Sequence, residues 1–273
     1  MPVRRVTSKH NARLKELRGA LNQPGRGGLA AIEGPTLLEE ALRAGLRVAC
    51  VFAAEGMEER VQALPLPPEA EILMLPGELL ASALTTETPQ PVAALVEPPV
   101  WSWEDLLAKD GNPLLVVLAG LQDAGNLGTI LRSAEAFGAS GVLSLPGTVN
   151  AWNPKAVRAS AGSVFRLPLL HVPAAECFSR LRKAGVRLWT TAARAGTAAS
   201  DVNFAAAAAL LIGNEGNGVP AELAAQADGA VTIPCPGPVE SLNAAVAASV
   251  LLYEAARQRS ASGGGHAVKR RAR

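Results

Sequence analysis

Apolar positions along this chain follow two alternating rhythms. Short, almost unbroken apolar runs predict buried strands at residues 29–33, 47–53 and 71–75, and again at 113–121, 141–145, 167–171, 186–191, 208–212 and 230–233. Between them, apolar positions recur every three or four residues and predict helices at 11–21, 35–44, 58–64, 101–109, 127–137, 154–161, 175–184, 219–227 and 241–259. Pro35 stands where a helix N-terminus tolerates proline, and Gly138 and Gly162 stand where helices stop. Regular alternation of strand and helix predicts the α/β class. Strands of the second series are continuously apolar, which points to a mostly parallel sheet covered on both faces. Glu97-Pro98-Pro99 interrupts the pattern and predicts a small α/β domain at 1–98 and a larger one at 99–259. The Ser/Gly-rich and then basic stretch 260–273 predicts a disordered tail.

Composition narrows this picture. Hydrophobic residues make up 49% of the 273 positions, ample for a core, yet no apolar run approaches the roughly 18 residues needed to span a bilayer. The opening residues are basic, without the apolar centre of a secretion signal. Cys50, Cys177 and Cys235 lie far apart and are odd in number, and His10, His171 and His266 are scattered. A disulfide framework and a metal cluster are therefore not expected, and the thiols suit a reducing cytoplasm. Net charge is only +2, but it is segregated. Arg4, Arg5, Lys9, Arg13, Lys15, Arg18 and Arg26 face a single acid, Glu16, within the first 28 residues, and Lys269, Arg270, Arg271 and Arg273 close the chain. Basic ends on an acidic body point to a polyanionic partner, and the N-terminal cluster reads as a nucleic-acid contact.

Candidate chemistry sits in three loops at the carboxyl ends of second-domain strands, where open α/β sheets bind ligands. In the first, Asn126 is placed to cap the following helix, Gly128 permits close approach, and Arg132 projects one turn further on. In the second, Gly213, Gly216 and Gly218 expose backbone to a ligand and Glu215 places a carboxylate among them. Gly216-x-Gly218-x-x-Ala221 fits the loosest dinucleotide fingerprint, but the next strand ends in Pro234-Cys235-Pro236 instead of an acid, and Glu215 would repel a pyrophosphate. That disfavours a nucleotide-dependent oxidoreductase. In the third, a proline-rich connector leads to Ser241, placed to cap the last helix, and to Asn243 in its first turn.

Taken together, N-x-G-x-I-x-R (Asn126 to Arg132), I-G-x-E-G-x-G (Ile212 to Gly218) and I-P-x-x-G-x-x-x-S-L-N (Ile233 to Asn243) resemble the three motifs of the SpoU/TrmH family, RNA ribose 2′-O-methyltransferases of the SPOUT superfamily. Thr7-Ser-x-x-Asn11, Glu33-Gly34 and Thr88-Pro89-Gln90 are similar, less specifically, to that family's N-terminal substrate-binding domain. The resemblance implies a deep trefoil knot in the second domain, S-adenosylmethionine as cofactor, no metal, RNA as substrate (ribosomal RNA before transfer RNA) and a homodimer. It places Gly213, Ile233, Leu242 and Thr191 at the cofactor, so that a side chain at Gly213 would fill the cofactor's space. It makes Arg132, Asn126, Glu215, Ser241 and Asn243 the catalytic set, and Arg4, Arg5, Lys9, Asn11, Arg13 and Lys15 the RNA-binding set. A guanidinium stays protonated in proteins, so Arg132 is expected as a phosphate clamp and oxyanion stabiliser and not as a base. A non-catalytic ribosome-assembly factor is the competing expectation. Intact Arg132, Glu215 and Asn243 weigh against it. Helix 241–259 is apolar on more than one face, which predicts that one face covers the sheet and another meets its twin.

Overall fold

The computed structural model describes residues 3–25, 27–107 and 112–262. Two compact units emerge. One comprises the chain up to Val100 together with Asn150–Arg166, and the other comprises Trp101–Val149 and the chain from Leu167 onward.

In the first unit, β1 (Val3–Arg5), α1 (Ala12–Asn22), β2 (Ala30–Glu33), α2 (Pro35–Arg43), β3 (Val48–Ala54), α3 (Glu58–Gln62), β4 (Glu71–Leu75), α4 (Gly77–Ala81) and β5 (Val92–Val96) follow in order. The sheet runs β1-β4-β3-β5-β2, with β5 antiparallel to both β3 and β2. Neither β1, α4 nor β5 was expected from the sequence. All three residues of β1 are exposed, two of them arginines, so no apolar run marks this edge strand. The apolar run of β5 is fully buried, but it lies between Pro91 and Pro98 and reads as part of the break. Leu14, Leu17 and Leu21 of α1 pack into a core with Phe52, Leu73 and Leu95.

Next come α5 (Trp103–Leu107), β6 (Leu114–Leu118), α6 (Ala124–Ala136), β7 (Gly141–Ser144), α7 (Pro154–Ser160), β8 (Leu169–His171), α8 (Ala174–Lys183), β9 (Arg187–Thr191), β10 (Thr197–Ala198), β11 (Ala208–Ile212), α9 (Ala221–Ala224), β12 (Gly229–Thr232) and α10 (Ala244–Ser262). Of these, α7 belongs to the first unit. It packs on β2, Arg158 comes within 3.8 Å of buried Glu33, and Trp152 stacks on Phe165. Residues 150–166 were expected within the second domain; sequence neighbourhood placed them there, and packing places them elsewhere.

The second unit's sheet has the order β10-β12-β9-β11-β6-β7-β8, and every pairing is parallel. Every residue of the central strands β6 and β11 is buried, as a sheet covered on both faces requires. This is the α/β class with a mostly parallel sheet that the apolar runs imply. Because β12, β9, β11 and β6 are consecutive neighbours, the loops that follow them leave one sheet edge side by side. The helix α9 is shorter than the 219–227 expected, since Pro220 caps it and it covers a single turn. The helix α10 runs to Ser262, three residues beyond its expected end, and the rest of the expected tail lies outside the described residues.

Candidate active site

Loops after β9, β11 and β12, with the start of α10, enclose a cavity of about 490 Å³. Its walls are apolar at Ile212, Val231, Ile233, Leu242 and Leu251 and backbone-rich at Gly213, Gly216 and Gly237. Thr191, Gly213, Ile233 and Leu242 all line it, as do Glu215 and Ser241. The Thr191 hydroxyl donates to the Leu211 carbonyl at 3.0 Å, which ties the end of β9 to β11.

Beside the cavity, a hydrogen-bond chain joins three loops. The Glu215 carboxylate accepts from the Asp123 N–H (2.9 Å), the Gln122 N–H (3.2 Å) and Asn126 Nδ2 (3.0 Å). Asn126 Oδ1 in turn accepts from Asn243 Nδ2 at 3.1 Å. Partial burial pushes the Glu215 carboxyl up, but the hydrogen bonds from Asn126, Asp123, its own backbone and Gln122 outweigh it and hold the group below its ordinary range.

Two capping expectations are corrected. The cap of α6 is Asp123, which accepts from the Asn126 N–H at 2.8 Å. Asn126 sits inside the first turn, which frees its amide to bridge Glu215 and Asn243. The sequence signal for Asp123 was present, an Asp three residues before the first-turn Asn. Likewise Asn243, not Ser241, caps α10, accepting from the Ala245 (2.9 Å) and Val246 (3.2 Å) N–H groups. Ser241 stays in the connector because that segment forms a cavity wall.

The expectation for Gly213 is also corrected. A Cβ there would overlap the Gly218 carbonyl group and the Val219 nitrogen, because Asn214 and Gly218 pair through two 2.9 Å backbone hydrogen bonds that fold the loop onto Gly213. A side chain would break the loop before it filled any ligand space.

Arg132 is exposed on α6 and, among the described residues, makes no hydrogen bond or ion pair. It does not line the cavity, and neither do Asn126 and Asn243. Sequence reasoning passed over Arg194, Cys235 and Glu240, which do line it. Arg194 lies in a loop without apolar period or motif, and Cys235 and Glu240 fall on unspecified positions of the third motif, so nothing singled them out.

The six residues expected at RNA divide in the first unit. The Asn11 side chain caps α1 through the Arg13 and Leu14 N–H groups. Arg13 pairs with Glu16 (2.8 Å) and Glu71 (2.7 Å), hydrogen bonds that bind its proton more firmly still, and Arg4 lies 3.8 Å from Glu71. Arg5, Lys9 and Lys15 are exposed with no ion pair among the described residues. Among those residues no group of three or more His, Cys, Asp or Glu side chains is placed to hold a metal ion, and no helix is long and apolar enough to cross a membrane.

A parallel α/β sheet whose adjacent carboxyl-end loops carry these three motifs, two of them walling one cavity and the third hydrogen-bonded to both, defines a methyltransferase of the SpoU type. The chain belongs to the SpoU rRNA Methylase family, whose model matches residues 113–253; the MRM3-like substrate binding domain matches residues 11–94. It is 35% identical over 222 residues (81% of this chain, 86% of the relative) to the Bacillus subtilis 23S rRNA (guanosine(2553)-2′-O)-methyltransferase RlmP. It is 33% identical over 270 residues (94% and 93%) to the 23S rRNA (uridine(2479)-2′-O)-methyltransferase of Streptomyces viridochromogenes. Among solved structures, the SpoU methyltransferase AviRb from Streptomyces viridochromogenes in complex with AdoMet matches with a TM-score of 0.80 at 30% identity, covering 92% of this chain and 98% of that one. AdoMet-bound rRNA methyltransferase from Sinorhizobium meliloti matches with a TM-score of 0.81 at 30% identity, covering 93% and 98%.

Proposed function

We propose that this protein methylates a ribose 2′-hydroxyl of ribosomal RNA with S-adenosylmethionine as methyl donor. The observation that carries the reading is the meeting of all three motif loops, two of them walling one cavity and all three joined by the Asn243–Asn126–Glu215 chain. The cavity fits such a cofactor. Its volume lies in the range of small-molecule sites, its apolar walls suit a purine, and Glu215 and Glu240 suit a cation. Thr191, Gly213, Ile233 and Leu242 would hold the cofactor, which when bound supplies an electrophilic methyl group. RNA 2′-O-methyltransferase is the activity named for the relatives and AdoMet the ligand named for the structural neighbours, and both support the reading.

The chain's own groups then have separate tasks. Glu215, ionised and held by two donors from the β6–α6 turn and one from the first turn of α6, fixes the two loops against each other. Asn243 caps α10 and carries the same brace to the third loop. Arg132, which has no hydrogen-bond or ion-pair partner among the described residues, clamps an RNA phosphate and stabilises charge developing on the 2′-oxygen. Ser241 positions the connector. Such alignment removes ~7 kcal/mol or more of a bimolecular barrier. Arg5, Lys9 and Lys15 supply phosphate contacts from the first unit, whose working boundary we place near residue 98 with residues 150–166 packed onto it. The knot that the family implies, a homodimer formed through α10 and a reducing cytoplasmic setting complete the proposal. Exposure of Val246 (48%), Val250 (38%) and Tyr253 (57%) along one stripe of α10 supports the dimer.

Tritiated S-adenosylmethionine and total RNA test the reading. Label should enter ribosomal RNA, in a dinucleotide that resists alkaline hydrolysis. Label in transfer RNA would move the substrate, and none would leave the protein as a binding factor. The two named relatives act on different nucleotides, so mapping the labelled position is the second step.

A further inference from the structure

We propose that Arg194 and Glu240 form a two-charge clasp for the amino-acid end of the cofactor, Arg194 taking its carboxylate and Glu240 its ammonium. This rests on the reading of the cavity as the S-adenosylmethionine site. The charges lining that cavity are few. Among the described residues Arg194 is its one cation, and Glu215 and Glu240 are its anions. Glu215 is committed to Gln122, Asp123 and Asn126, whereas Arg194 and Glu240 make no hydrogen bond or ion pair among the described residues. One free cation and one free anion face a ligand that ends in one carboxylate and one ammonium. The apolar walls and backbone groups serve its other end, the adenosine.

The loop that carries Arg194 is held for this purpose. The Ala192 N–H donates to the Val231 carbonyl at 2.9 Å, and the Thr232 hydroxyl donates to the Ala193 carbonyl at 3.3 Å. Ala195 adopts φ 60°, a left-handed conformation that non-glycine residues rarely take, and such strain gathers at ligand sites. A Cβ at Gly196 would sit 3.0 Å from the Ala230 carbonyl and the Thr232 nitrogen, so the loop lies flat on β12. β12 leads straight into the connector bearing Glu240. Arg194 and Glu240 therefore sit on loops that follow neighbouring strands and wall the same cavity. A guanidinium matches a carboxylate in a bidentate way, and an exposed lysine in its place would not.

Calorimetry on the full chain with three probes tests the clasp: S-adenosylhomocysteine, decarboxylated S-adenosylmethionine (ammonium without carboxylate) and 5′-methylthioadenosine (neither). Arg194→Ala should weaken S-adenosylhomocysteine about tenfold or more, the worth of one charge-assisted hydrogen bond, and leave the other two unchanged. Arg194→Lys should recover only part of the loss. Glu240→Gln should weaken the first two probes and spare the third. A uniform loss across all three probes would mean that the loop had collapsed, and no loss on any would mean that Arg194 faces elsewhere; either overturns the clasp while leaving the cofactor site standing. Failure of the wild-type chain to bind any probe would overturn the cofactor site and the clasp with it.

Discussion

Single side chains separate binding from chemistry. Arg132 stands outside the cavity lining and has no partner among the described residues, so Arg132→Ala should keep cofactor affinity and lose ~100-fold or more in single-turnover rate at saturating RNA. Arg132→Lys should recover little, because a point charge does not replace a planar fork. The cysteines offer a second readout. Burial pushes the Cys50 and Cys177 thiols up to about 12, whereas Cys235 is exposed in the cavity wall. One thiol of the three should therefore react with a thiol reagent in the native protein, and saturating S-adenosylhomocysteine should protect it. Glu215 gives a pH dependence. Its folded pKa is depressed, so its brace is intact at neutral pH and is lost only as pH falls through a value below the unperturbed ~4.3. The carboxyl carbon of Glu215, followed by NMR, should titrate below that value and move back toward it in Asn126→Ala, which deletes one of its donors. Gly213→Ala belongs here too. It should disorder the 213–218 loop and abolish cofactor binding through backbone overlap, visible as lost amide protection at Asn214 and Gly218.

At the level of elements, α10 has the most to do. Ala248, Leu251, Leu252 and Ala255 are buried, Ser249 meets Ser133 of α6 at 2.7 Å, and Tyr253 packs edge-on against Phe137. The opposite stripe, Val246 and Val250, remains exposed. Val250→Asp, a surface change within the single chain, should cost under about 0.5 kcal/mol of monomer stability. It should nonetheless convert a dimer to a monomer by light scattering and lower activity with it. An unchanged mass would remove α10 from the dimer. Strand ends matter in the same way. Because β12, β9, β11 and β6 are neighbours, loops far apart in sequence are delivered to one edge, and each loop's function depends on the strand beside it.

For the molecule as a whole, charge should set affinity for RNA. Reversing Arg5, Lys9 and Lys15 to Glu should weaken RNA binding at low salt and flatten its log–log salt dependence by about 2, at roughly 0.7 per lost single-strand phosphate contact. Cofactor affinity should be unaffected, because none of the three lines the cavity. Loss of cofactor binding in the triple variant, measured by calorimetry, would show instead that the fold had been damaged.

By itself the sequence determined the class of fold, since continuous apolar runs such as 208–212 have only a doubly covered parallel sheet to enter. It also singled out the three motif loops, because glycines beside isolated polar residues at strand ends leave a pattern that apolar periodicity does not. Tertiary structure decided what each of those residues does. Asp123 and Asn243 took the caps expected of Asn126 and Ser241, because Asn126 is needed between Glu215 and Asn243, contacts separated by 89 and 117 positions. Gly213 proved to make room for its own loop, a clash that is invisible until Gly218 folds back. Residues 150–166 joined the first unit, where α7 packs on β2 more than a hundred positions earlier in the chain. Local propensity acts over a few residues, and it carries no information about which strands become neighbours or which side chains then compete for the same donor.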